Sequence, residues 1–227
     1  MNYKPDLQLA LIQSNLIWQH PAANRAQLEP QLEQARGADL VVLPEMFSTG
    51  FSMQSAELAE PESGPTSRWL SEQARRIGAV ITGSLIIQTA DGSYRNRLLW
   101  ARTDGSQSFY DKRHLFRMAG EHKHYSAGEQ QVLLEVKGWQ VRPLICYDLR
   151  FPEQARELRR QGAEILVVPA AFTAVTGAAH WQVLLRARAI ENQCWVIGAG
   201  QGGQHSPQRQ TWGHSQIVDA WGAVLAE

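Results

Sequence analysis

Residues 141–170, VRPLICYDLRFPEQARELRRQGAEILVVPA, carry the alternation that decides the fold. An apolar run over 139–146 reads as a buried strand. Pro152 suits the first turn of a helix over 152–161, Gly162 closes that helix, and 164–168 is a second short apolar run. Strand, helix and strand in that order make a β-α-β unit, with the helix covering one face of a sheet. Cys146 stands at the first corner of the unit, just ahead of the helix.

The alternation continues on both sides. Toward the N-terminus, 7–13 (LQLALIQ) and 39–43 (DLVVL) read as strands. The helix between them starts at Pro21 and stops at Gly37, with Leu28, Leu32 and Ala35 at helical spacing, and Pro30 in its middle predicts a kink or a later start. Thr66 is expected to cap a helix carrying Trp69, Leu70, Ala74 and Ile77 and ended by Gly78. Three strands follow, over 79–87, 96–101 and 107–110, as a meander. The stretch 113–128, rich in His, Arg and Gly, reads as a long surface loop of the functional or mobile kind. Beyond the β-α-β unit lie a helix with Val183, Leu184, Ala187 and Ile190 on one side and strands over 194–199 and 215–218. Without repeats, low-complexity tracts or linkers, the pattern predicts one layered α/β domain over residues 1–227.

Composition narrows the function. The 227 residues carry 22 Lys+Arg against 22 Asp+Glu, so no global field favours nucleic acid or an anionic membrane. With 44% hydrophobic and 19% charged residues the chain buries a substantial core and is not disordered. Its longest apolar runs, such as 165–171, fall far short of the ~20 residues that cross a bilayer. The start, MNYKPDLQLALIQSN, lacks the pattern of a secretory signal, and two cysteines make no disulfide framework, so a cytoplasmic protein is expected.

Three polar residues stand where apolar strands end: Glu45 after VVLP, Lys112 after SFYD and Cys146 after VRPLI. Open α/β sheets place ligand sites at such ends, so distance in sequence does not prevent convergence in space. A thiol attacks as thiolate, and a helix start favours the anion; equally, a cysteine packs as a small apolar residue. Partial burial would make Glu45 more basic and suit it to proton transfer, or it is an exposed loop acid. Lys112 by itself reads equally as part of a solvated charged turn.

PEMFSTGF at 44–51, DKRHLF at 111–116 and ICYDLRFPE at 145–153 resemble, in order and separation, the three catalytic segments of the nitrilase (carbon–nitrogen hydrolase) superfamily. The likeness extends to LVVPAAFT, LLRARAIENQ and GHSQIVDAWGAVLA. PEMFSTGFSM and DKRHLFRMAGEHKHY are similar to the omega-amidase branch, whose members hydrolyse the side-chain amide of 2-oxoglutaramate and 2-oxosuccinamate. The resemblance implies a four-layer α-β-β-α sandwich and a thiol amidohydrolase without metal or organic cofactor, working as a homodimer on a small amide. It gives Glu45 the role of general base, Lys112 that of electrophilic stabiliser and Cys146 that of nucleophile. Tyr147 would lend a backbone N–H to the oxyanion, and Glu121 would help position substrate and lysine. Preorganised donors of this kind contribute about 3 kcal/mol each.

Phe47, Met118 and Phe172 lie beside the matched segments and are expected to line the pocket. Arg150, Arg113 and Arg117 are the candidates for holding a substrate carboxylate, with an ion pair to Glu153 as the alternative for Arg150. His114, His122 and His124 lack the ordered ligand pairs of a zinc site, and the glycines of AGQGGQ lack the lysine of a phosphate cradle. Cys194, within an apolar strand, reads as core. Two features depart from the family pattern. Relatives carry an asparagine-arginine pair and a glycine-aspartate turn where this chain has Ala199-Gly200-Gln201-Gly202-Gly203, a stretch expected to border the pocket. Most also continue past the position of Glu227 with a further strand and tail. Alternatives to the omega-amide substrate are deaminated glutathione, an N-carbamoyl compound or a nitrile, and a catalytically silent interaction protein on the same fold.

Overall fold

The computed structural model describes residues 4–206 and 209–227. The first of two six-stranded sheets runs β1 (Leu9–Leu11), β2 (Leu40–Val42), β4 (Val80–Gln88), β5 (Tyr94–Ala101), β6 (Gln107–Asp111), with the two-residue β3 (Glu60–Pro61) beside the end of β4. β1, β2 and β4 are parallel, while β4, β5 and β6 form the antiparallel meander read from the sequence. The second sheet runs β14 (Val224–Ala226), β13 (Gln216–Val218), β10 (Trp195–Gly200), β9 (Ile165–Ala170), β8 (Trp139–Pro143), β7 (Leu134–Val136). Its centre, β8, β9 and β10, is parallel, as β-α-β connections require. A hairpin of β11 (Gln204–Ser206) and β12 (Arg209–Gln210) stands apart from both.

Three apolar clusters define how the layers stack. Leu28 and Leu32 of α1 (Pro21–Gln34) and Trp69, Leu70, Ala74 and Ile77 of α3 (Pro65–Ile77) bury against Val41 and Ile81 of the first sheet. Leu40, Val42, Val80 and Trp100 meet Val141, Ile165, Val167 and Ile197 between the sheets. Ala155 of α4 (Pro152–Arg160) and Trp181, Leu185 and Ala189 of α5 (Ala174–Asn192) cover Leu166, Val168 and Val196 on the far side. Parity explains the second and third clusters: Ile165 and Val167 face the other sheet while Leu166 and Val168 face the helices. The result is the α-β-β-α sandwich.

Several local expectations are corrected. Pro30 lies inside α1 without delaying its start, because both it and Ala26, whose carbonyl loses its helical donor, are on the exposed side of the helix. α3 is capped two residues earlier than Thr66: Gly64 is the N-cap, Pro65 the first helical residue, and the Glu60 carboxylate accepts from the Thr66 N–H at 2.6 Å. On α5 the inner side belongs to Trp181, Leu185, Arg188, Ala189 and Asn192, leaving Val183 and Ile190 exposed. A short α2 (Ser55–Leu58) was not anticipated. No helix among the described residues is long and apolar enough to cross a membrane.

Candidate active site

The segments that follow three strands converge at one edge of the sandwich. Just past β2, Leu43 N–H donates to Thr82 O at 2.7 Å, and the next turn is pinned to β4 by Met46 N–H on Ser84 Oγ at 2.9 Å. This fixes Glu45, which has no exposed surface. Lys112 follows β6 and is held on both sides, its N–H donating to Asn96 O and its carbonyl accepting from Gly128 N–H, each at 2.9 Å. Cys146 opens a five-residue 3-10 turn after β8, with φ at +45°, a left-handed conformation that side chains rarely adopt.

The Lys112 ammonium donates to Glu45 Oε1 at 2.7 Å and to Glu121 Oε2 and Oε1 at 2.9 and 3.1 Å, all three side chains being fully buried. Asn96 Nδ2 donates to the same two carboxylates, at 2.9 Å to Glu45 and 3.1 Å to Glu121. Glu121 belongs to the stretch read as a surface loop. The correction has a physical cause: the loop is tied inward by Phe116 N–H on Glu121 Oε2 at 2.5 Å and by the buried Tyr125, whose hydroxyl donates to Ser52 O at 2.5 Å.

The Cys146 thiol meets the Glu45 carboxylate and the Ala171 N–H. Burial pushes the thiol well above its ordinary pKa, the Glu45 charge adds to this, and Lys112 opposes it. The helix-start effect expected to favour thiolate is therefore overridden. Glu45 is raised too, by burial first and by the charge of Glu121, with Lys112 pulling the other way. For Lys112 burial works against the ammonium, but Glu121 and Glu45 outweigh it and hold the group charged above its ordinary range. The resting site thus sets a neutral thiol beside a glutamate of raised basicity and a charged lysine.

Glu45 and Cys146 open into a narrow pocket of about 40 Å³. Phe51, Phe116, Tyr147 and Phe172 supply its aromatic walls, and Arg150 and Arg209 its cations. A wider groove against Leu9, Leu11, Trp212 and Ile217 holds no cysteine or lysine. The Arg150 guanidinium lies 5.3 Å from the Phe172 ring centre and 5.9 Å from that of Tyr147, and its Nη2 donates to His180 Nδ1 at 3.0 Å. Among the described ion pairs none joins it to Glu153.

Four expected pocket residues lie elsewhere. Phe47 is buried behind the site against Trp69 and Gly83, since the left-handed Met46 turns the chain toward the helix-side core. Met118 is 86% exposed, and Arg113 and Arg117 also point to solvent on the outer part of the loop. Residues 199–203 do not border the pocket either; Gly200 packs against the Gly213 carbonyl and Gly203 against Asn15, with no room for a side chain at either. Arg209, which sequence reading missed, reaches the pocket because Thr211 pairs with Thr173 and Trp212 N–H donates to Phe172 O at 2.9 Å. Asn96 was also missed, although a signal existed: it shares the parity of Leu98 and Trp100 on β5, so an amide stood on an inward-facing row.

The carbon–nitrogen hydrolase family model matches residues 8–227. The chain belongs to the carbon–nitrogen hydrolase family. It is 40% identical to omega-amidase YafV of Escherichia coli strain K12, over 98% of this chain and 85% of that protein. A deaminated glutathione amidase of Yersinia enterocolitica is 39% identical over 90% of this chain and 77% of its own length. Among solved structures, XC1258 from Xanthomonas campestris, a CN-hydrolase superfamily protein with an arsenic adduct in its active site, superposes with a TM-score of 0.93. Identity to it is 41%, and the match covers 98% of this chain and 86% of that one. This chain is accordingly a hydrolase of carbon–nitrogen bonds other than peptide bonds.

Proposed function

We propose that this carbon–nitrogen hydrolase is a thiol amidohydrolase that releases ammonia from the ω-amide of a small 2-oxo dicarboxylic acid monoamide, 2-oxoglutaramate or 2-oxosuccinamate. The observation that carries the reading is the Cys146 thiol in contact with buried Glu45, itself paired to Lys112, on the floor of a pocket walled by Arg150.

Glu45 takes the thiol proton as Sγ attacks the amide carbon, so a neutral thiol and a carboxylate of raised basicity are the right resting pair. The carbonyl oxygen becomes an oxyanion facing the Lys112 ammonium and the Tyr147 N–H. Glu45 then returns the proton to the departing nitrogen, ammonia leaves, and the acyl group remains on sulfur as a thioester. Water, deprotonated by Glu45, attacks that thioester; the acid departs and the thiol is restored. Glu121 keeps Lys112 charged and aimed. Arg150, held by His180 and two aromatic faces, receives the substrate carboxylate.

The decisive assay is ammonia release from 2-oxoglutaramate by the wild-type chain and Cys146→Ala, with glutamine as control. Release lost in the variant supports the reading; no release by wild type from any omega-amide sinks it. The resemblance to a deaminated glutathione amidase supplies the second substrate of that panel. Both cysteines are free thiols, which suits the cytoplasm. The exposed Val175, Val183 and Ile190 on α5 suit a homodimer, and sedimentation as a monomer at micromolar concentration would refute that assembly.

A further inference from the structure

Asp148 lies two residues past Cys146, is fully buried, and accepts four hydrogen bonds. Its Oδ2 takes the Tyr110 hydroxyl at 2.8 Å and the Ile145 N–H at 2.9 Å. Its Oδ1 takes the His114 N–H at 2.8 Å and lies 2.9 Å from His114 Nδ1. The placement of the donors in the chain is what matters. Tyr110 and His114 bracket Lys112, two residues before and two after, while Ile145 and Asp148 bracket Cys146. One carboxylate therefore ties both flanks of the lysine, which arrives from the first sheet, to both flanks of the cysteine, which arrives from the second.

We infer that Asp148 is a positioning residue that sets the separation of Lys112 from Cys146, an inference that rests on the thiol-amidase reading of the site. No strand pairing joins β6 to β8, so the two segments meet only through side chains and loops. The left-handed Cys146 needs an outside restraint as well, and the Asp148 bond to Ile145 N–H closes the turn over it. Aromatic packing reinforces the same seam: His114 stacks on Phe151 with ring centres 3.6 Å apart, and Phe116 packs on Tyr147 at 5.0 Å. Gln154 of α4 donates to the Tyr110 hydroxyl at 2.9 Å, which leaves that hydroxyl's hydrogen for Asp148.

Asp148→Asn is a discriminating change because each carboxylate oxygen serves two donors. An amide of the same size offers one oxygen, so whichever way it turns, one pair of donors faces an N–H₂ group. A misplacement of about 1 Å at a reacting centre costs about 10²-fold in rate. The expected result is a kcat on 2-oxoglutaramate lower by 10- to 100-fold with KM within threefold of wild type, and iodoacetamide alkylation of Cys146, followed by intact mass, slowed in parallel. His114→Ala, at a partly exposed position, is expected to lose a few-fold in kcat with the same split. A kcat within twofold of wild type in Asp148→Asn, or a loss matched by the unfolded fraction seen by circular dichroism, would overturn the inference. So would a loss confined to KM. If wild type turns over no amide, the amidase reading fails, yet alkylation still judges the clamp, since equal rates in wild type and Asp148→Asn refute it.

Discussion

The floor of the pocket and its rim are built on opposite principles. On the floor, Glu45, Lys112 and Glu121 sit at strand ends or on a loop tied inward, have no exposed surface, and answer one another with several hydrogen bonds each. At the rim, Arg150 hangs on one histidine and two ring faces, and Arg209 stands exposed on a two-stranded hairpin. A group fixed from all sides serves chemistry, where small displacements are expensive. A group with few partners and its charge in reach of solvent serves recognition, where it exchanges those partners for a ligand. Floor substitutions are thus expected to act on kcat and on pH dependence, and rim substitutions on KM.

Glu45→Gln carries the largest expected effect. It removes the proton acceptor while keeping the side chain's size and shape, so kcat should fall by about 10³- to 10⁴-fold, near the upper range for a general base. The pH profile sharpens the test. In wild type, kcat/KM declines as pH drops through the Glu45 value, which burial has raised, so the acid limb lies above that of an ordinary glutamate. The alkaline limb lies above that of an ordinary thiol, because Cys146 is raised as well. Residual activity of Glu45→Gln should lose the acid limb altogether; an unchanged limb assigns the proton to another group.

Lys112→Met comes next and breaks the floor in two ways. Loss of an oxyanion donor predicts about 10²- to 10³-fold in kcat. Loss of the cation also leaves buried carboxylates without a counter-charge, a change on the order of 3–5 kcal/mol. The sign follows from Glu45, whose folded pKa lies above its unfolded one. Such a group contributes most when protonated, so the penalty is full where Glu45 is ionised and shrinks as pH falls through its raised folded value toward the ordinary carboxylate range. Melting temperatures of variant and wild type should therefore converge between pH 7 and pH 4. A gap that stays constant would show that lost packing, not charge, is responsible.

This contrast also explains what could be read in the chain and what could not. Strand parity and the strand–helix corner at Cys146 lie within about thirty consecutive residues, and local patterning determines them. Glu45 and Lys112 also follow from apolar runs that end, which is why three distant residues could be expected to meet. Pocket walls depend instead on how the chain leaves a strand. One left-handed residue, Met46, sends Phe47 behind the site rather than into it. Polar composition concealed the burial of Glu121 and Tyr125, because a loop that folds back onto a buried ammonium looks like any solvated stretch until its partner is known. α5 misled for another reason: it is apolar on both sides, so periodicity alone does not say which side faces the sheet. Arg209 lay beyond reach, since the Thr173–Thr211 pairing that delivers it joins residues almost forty apart.

At the rim, Arg150→Met is expected to raise KM for 2-oxoglutaramate by 10- to 100-fold while kcat changes less than fivefold. A charge-assisted hydrogen bond is roughly twice as strong as a neutral one, and methionine keeps the apolar contact with Phe172. Arg209→Ala should be smaller, a KM increase of a few-fold, because an exposed guanidinium trades water for carboxylate at little net gain. Salt distinguishes the two. Raising ionic strength should largely erase the Arg209 effect and leave most of that of Arg150, whose site is walled by aromatic rings and screened less. Equal salt sensitivity would mean that both arginines act from solvent and that the rim offers steering rather than a seat. A kcat loss in either variant larger than its KM rise would move that arginine to the floor, and the division between the two regions would no longer hold.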